Sequence, residues 1–147
     1  MADAIATLKT KFPAITEEAN TQCLILESKD IKNACRFLKE NLSFEQLACI
    51  SAIDYKDKFA IAYNLYSYTT REKITLKVFL DKNNPSVESI TPLWSAANWH
   101  EREAFDMMGI TFTGHPDLRR ILLPDDWQGY PLRKEYTNEN FVRMPSI

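Results

Sequence analysis

Hydrophobic positions change period along the chain. Ile5, Leu8 and Phe12 recur at helical spacing and stop before Pro13, which predicts a short amphipathic helix. Residues 22–27 form a brief apolar run of strand length. Ser28 or Asp30 can then cap a helix that carries Ile31, Ala34, Cys35, Leu38 and Leu42 on one face and ends near Asn41. The period next falls to two. Runs at 46–54, 59–68 and 73–80 are separated by the polar segments YKDK and TTREK, of hairpin length, and read as an antiparallel meander. In the last run Ile74, Leu76, Val78 and Leu80 alternate with Lys73, Thr75, Lys77 and Phe79, giving one buried and one mostly wet face. In the middle run Phe59, Ile61, Tyr63 and Leu65 face one way, with Tyr66 and Tyr68 on the other, a second face that cover would suit.

The loop DKNNPSVES leads to Thr91, placed to cap a helix, and Pro92, placed as its first residue. Gly109 is a natural stop, and the pattern leaves open whether 92–108 is one helix or breaks near Asn98. Residues 110–113 suit a short strand. Beyond them the chain is punctuated by Pro116, Pro124, Gly129, Pro131 and Pro145 and reads as an extended arm. No internal repeat or low-complexity segment interrupts this order. The expected fold is α+β and two-layered, an antiparallel β-meander packed against helices. It divides into an α/β domain at 1–114 and an extended C-terminal arm at 115–147 that docks on a partner.

The helix before Gly109 carries an anomaly. Trp94, Ala97, Ala104, Phe105 and Met108 form an apolar stripe, and Glu101 falls within it. A buried carboxylate must be protonated or find a donor, and Arg119 and Arg120 are the expected partners, brought back by the turn at Gly114–Pro116. Trp99, Arg102, Glu103 and Asp106 share the opposite face, where Arg102 and Asp106 are spaced to pair along the helix. Trp99 suits either an interface or a place beneath the chain's own arm. A segment so poor in apolar anchors must lie on something. Ile121, Leu122 and Leu123 are expected to dock on the parent domain, while beyond the turn PDDWQG Tyr130, Leu132, Arg133, Lys134, Tyr136 and Phe141 form an adhesive strip for a second protein.

Bulk properties narrow the chemistry. With 147 residues, 45% apolar and 26% charged, the chain has the makings of one globular domain. No stretch reaches the ~20 apolar residues that cross a bilayer, and the opening lacks a signal-peptide core, so a soluble intracellular location is expected. A net charge of −2 gives no general attraction to nucleic acid, and Asp125, Asp126, Glu135 and Glu139 dilute the basic strip. Cys23, Cys35 and Cys49 fit no metal or redox spacing and read as buried thiols. His100, Glu103 and His115, with Glu101 and Asp106 nearby, define a rival reading as a metal-dependent enzyme. Yet His100 and Glu101 point to different helix faces, and no HExxH motif is present. The three glycines supply no phosphate loop or dinucleotide fingerprint. A free-standing binding module is a further alternative.

Between Asn98 and Tyr136 the text itself is specific. EREAFD, GITFTGHPDLRRILLPDDW and GYPLRKEY closely resemble the signature of the 30 kDa subunit of respiratory NADH:quinone oxidoreductase (complex I). Similar subunits occur in membrane-bound hydrogenases and in reduced-deazaflavin (F420) dehydrogenases, so the resemblance does not fix the electron donor. It implies a cofactor-free subunit of the hydrophilic arm, peripheral on the cytoplasmic side of the membrane. The large 49 kDa subunit, which helps form the quinone site, would be its partner, with iron–sulfur clusters, FMN and quinone held by other chains. On this reading Glu101, Arg102, Glu103 and Asp106, with Arg119 and Arg120, are a structural network. Trp99, Arg102, Trp127, Tyr130, Leu132, Arg133, Lys134 and Tyr136 would face the partner. Ala104 is smaller than the aliphatic residue usual in the pattern.

Overall fold

The computed structural model describes residues 2–138 and Pro145, so Phe141 lies outside the described residues. The first apolar stripe folds as α1 (Ala2–Lys11), which buries Ala4 and Leu8. A short antiparallel pair follows, β1 (Thr16–Glu17) with β2 (Cys23–Leu26). One 3-10 turn at Ser28–Asp30 then enters α2 (Ile31–Asn41), whose Ile31, Ala34, Cys35 and Leu38 are buried. Asp30 stands at the cap position without a side-chain capping bond. Its backbone is already helical, continuing from the turn, rather than in the extended geometry usual for a capping residue.

The alternating runs become β3 (Gln46–Asp54), β4 (Lys58–Tyr66) and β5 (Lys73–Asp81), antiparallel as the hairpin-length links require. β4 ends two residues before the expected Tyr68, because the Ser67 amide turns to the Glu72 carbonyl and closes the hairpin. β2 joins this meander in parallel with β5, matching Leu24 to Leu76 and Leu26 to Val78, which gives the order β1-β2-β5-β4-β3. A parallel neighbour needs a long crossover, and α2 with the β3–β4 hairpin supplies it.

Phe59, Ile61, Tyr63, Leu65, Leu76 and Val78 are all buried on the sheet face that carries the core. The second face is less wet than its lysines suggest. Lys77 is buried there because its ammonium donates to both Glu18 carboxylate oxygens, at 2.8 and 2.9 Å, and to the Tyr55 hydroxyl. Cys23 and Cys35 are buried as expected, whereas Cys49 is half-buried on the edge strand β3, its sulfur accepting from the Asn64 amide.

Residues 81–89 are not simply a loop. β6 (Ser86–Glu88), too short to announce itself with Val87 as its one buried residue, pairs in parallel with β7 (Thr111–Thr113). Between them lies α3 (Ala97–Met108), which decides the open choice for a break near Asn98 over one helix from Pro92. The Ile90 amide is drawn to the Glu101 carboxylate and the Thr91 amide to the Ser89 hydroxyl, so this stretch turns back over α3 instead of opening it. Gly109 ends α3 in the left-handed conformation, at φ 74°, with its amide on the Phe105 carbonyl.

Candidate functional site

The charges of α3 do two separate jobs. Glu101 is fully buried and accepts from the Ser89 hydroxyl at 2.6 Å and the Ile90 amide at 2.8 Å. Neither Arg119 nor Arg120 reaches it, which corrects the sequence expectation. Arg119 is exposed and pairs with Asp117, its neighbour on the arm, while Arg120 is claimed by Asp106. Without a guanidinium, burial dominates at Glu101 and pushes its carboxyl up to about 7, although the Ser89 and Ile90 donors act in the opposite direction. His115 lies beside it, Nε2 3.9 Å from the carboxylate, with Nδ1 accepting from the Asp117 amide.

Asp106 is also fully buried, but its surroundings have the opposite character. One carboxylate oxygen accepts from Arg120 at 2.7 Å, and the other accepts from the amides of Ile121, Leu122 and Leu123 at 3.1, 2.7 and 3.0 Å. Burial would raise this carboxyl, yet the Arg120 guanidinium and the three amides hold it below the usual range. Arg120 also donates to the Trp127 and Gly129 carbonyls, so one ion pair fastens two successive parts of the arm to α3.

Arg102 is buried and donates to the carbonyls of Arg119 and Arg120, not to Asp106 as helical spacing suggested. The arm comes closer than the next helical turn and offers fixed acceptors, while Asp106 already has its donors. Farther on, the Leu132 amide donates to the Met107 carbonyl, Arg133 to the Met108 carbonyl, and the Lys134 amide to Asp54. Asp54 is held at about 2: burial opposes this, but the amides of Lys134 and Lys56 and the Lys82 ammonium outweigh it.

The predicted partner-facing residues therefore divide. Tyr130 is half-buried, with the Arg120 and Arg133 guanidiniums 5.3 and 4.8 Å from its ring centre, and Tyr136 is half-buried with its hydroxyl donating to the Gln128 carbonyl. Trp127 is half-buried too, and its Nε1 is a buried donor without an acceptor among the described residues. Lys134 is exposed. Trp99 and Leu132 remain 60% and 59% exposed, with the Arg102 guanidinium against the Trp99 ring at 5.3 Å. Trp99 is thus not covered by the described part of the arm.

Leu132 also lines a groove of about 240 Å³, with Ile50, Ser51 and Ala52 of β3 and His100, Glu103 and Met107 of α3. His115 is at Glu101 and outside this lining. Among the described residues, no three His, Cys, Asp or Glu side chains come together as a metal-binding group. Sequence reasoning missed Ser89 and Asp54, whose partners lie 12 and 80 residues away. Only the lone acid ending the apolar strand β3 hinted at the second.

The family model described as respiratory-chain NADH dehydrogenase, 30 kDa subunit, matches residues 24–142. The chain belongs to this family. An NADH-quinone oxidoreductase subunit of Geobacter metallireducens is 38% identical, over 97% of this chain and 93% of its own length. Its counterpart in Chloroherpeton thalassium is 43% identical over 90% of this chain, which spans 59% of that relative. The structure also resembles the trypsin-resistant fragment of Nqo5, with a TM-score of 0.69 and 27% identity over 80% of this chain and 98% of that one. A chain in the membrane-bound sulfane sulfur reductase, an archaeal respiratory membrane complex, shares the fold, with a TM-score of 0.79 and 20% identity over 92% of this chain and 85% of that one. Family membership accords with the resemblance carried by residues 98–136. No helix among the described residues is long and apolar enough to cross a membrane.

Proposed function

We propose that the chain is a structural subunit without an active site of its own, in the hydrophilic arm of a complex-I-like NADH:quinone oxidoreductase. It binds the large 49 kDa subunit and supports electron transfer to quinone coupled to proton translocation. Clusters, FMN and quinone reside in partner chains, and the protein sits peripherally on the cytoplasmic side of the membrane. The observation that carries this reading is the engagement of α3: Arg102 and Asp106 are bonded to the arm, Asp106 through Arg120 and the backbone amides after it, and Glu101 to its own helix-entry turn. These groups build a rigid edge. What the edge presents outward is Trp99 and Leu132, large apolar side chains of the kind that anchor protein interfaces.

Native pull-down with mass spectrometry tests the proposal. Large and small subunits of a quinone reductase should co-purify with the chain, and Trp99→Ala combined with Leu132→Ala should reduce their yield while leaving the melting temperature unchanged. Undiminished recovery from that double variant refutes the interface. Co-purifying hydrogenase or deazaflavin dehydrogenase subunits would instead place the chain in one of those complexes.

A further inference from the structure

The sheet ends very differently on its two sides. One edge, β1, is only two residues long. The other, β3, runs for nine residues with the sequence QLACISAID, which contains no lysine, arginine or proline and whose one charge is its last residue. Exposed edge strands are ordinarily blunted by shortness, lysine, proline, a bulge or a covering helix or loop, since an unpaired row of amides and carbonyls templates pairing with another chain. β3 carries one such irregularity, a register shift between Leu47 and Cys49, and α3 packs against the strand, but beyond the shift its pairing with β4 is regular from Cys49 to Asp54 and a groove separates residues 50–52 from α3. Apart from its pairing with β4, the main chain of residues 49–53 makes no backbone–backbone hydrogen bond among the described residues. Beside this row lies the groove floored by Ala104 and Met107 and bounded by Leu132. Glu103 lines it and is exposed, with no cation paired to it among the described residues.

We infer that the β3 edge is a strand-addition site: an extended segment of a partner subunit, carrying a basic side chain among apolar ones, pairs with residues 49–53 as a sixth strand. Main-chain bonds supply affinity and alternate side chains enter the groove, the usual division of labour in strand addition. Apolar side chains on that segment meet Met107 and Leu132, and its basic group meets Glu103. Charge complementarity selects a basic segment, because the groove offers a carboxylate and no exposed cation among its lining residues. This inference rests on the docking role proposed above and names where one partner segment lies.

Amide hydrogen exchange tests it, measured residue by residue on the full chain alone and within its assembled complex. Alternate amides among residues 49–53 should exchange on the order of a hundredfold more slowly in the complex. Glu103→Lys should lower recovery of the partner about tenfold at moderate salt, with Glu103→Gln intermediate. A chain that assembles while its edge amides exchange as in isolation overturns the strand-addition site and leaves the docking role standing. Failure to assemble overturns both. Protection already present in the isolated chain, growing with its concentration, overturns the inference in favour of pairing between two copies.

Discussion

Replacing Glu101 by glutamine separates burial from pairing. In the wild-type chain burial lifts this carboxyl from 4.5 to about 7, and no arginine or lysine among the described residues pairs with it, His115 lying 3.9 Å away. A displacement of that size corresponds to about 3 kcal/mol. Because the folded state holds the proton more tightly than the unfolded one, this stabilisation is fully present below pH 4.5 and is lost as pH rises through about 7. The Glu101→Gln side chain keeps the shape and does not titrate. Its oxygen can accept from the Ile90 amide, and its nitrogen can donate to the Ser89 hydroxyl. Urea unfolding of both proteins at pH 5, 7 and 9 gives the difference directly. The glutamine variant should gain about 2 to 3 kcal/mol relative to wild type between pH 5 and pH 9. Asp106 adds no slope over that interval, since its carboxyl is held below the usual range and is ionised throughout. Parallel stability curves would refute the placement of Glu101 as a buried carboxyl without a paired arginine or lysine. A wild-type advantage growing with pH would point instead to a cation near it, as the sequence alone suggested.

Asp106→Asn should destabilise the domain by about 3 kcal/mol, because it leaves the Arg120 guanidinium without its counterion. Limited proteolysis should then cut first in the released arm, between residues 115 and 138. Gly109→Ala places a methyl group 2.6 Å from the Tyr130 ring at a backbone φ of 74°, so it should cost about 2 kcal/mol and lower the melting temperature. An unchanged melting temperature for either variant would contradict the packing of the arm on α3.

Local periodicity carried most of the fold. α2 and the β3–β5 meander follow from spacing, because the faces they bury are visible within ten residues of sequence. β6 was hidden because three residues with one buried valine leave no period to detect. The start of α3 was left open between Pro92 and a break near Asn98, and the structure begins the helix at Ala97. Thr91–Pro92 is a sound local signal, overridden when Glu101, eleven residues on, captures the Ile90 amide. The same nonlocal pairing governs the site. That Glu101 would be buried followed from the apolar stripe, but its partner did not. Two arginines of similar local context, Arg119 and Arg120, take different partners because only the second reaches Asp106. Motif resemblance supplied the family, whereas the division of the arm into inward Tyr130 and Arg133 and outward Leu132 needed coordinates.

The central claim is that this chain works by adhesion within an oxidoreductase complex. Purifying it natively, then measuring subunit stoichiometry and bound metal in one sample, addresses that claim most directly. The expected result is a fixed ratio to a large quinone-site subunit, with iron travelling with the partner chains and none remaining once this chain is separated from them. A stable monomer that joins no complex and retains one equivalent of zinc, manganese or iron would contradict it.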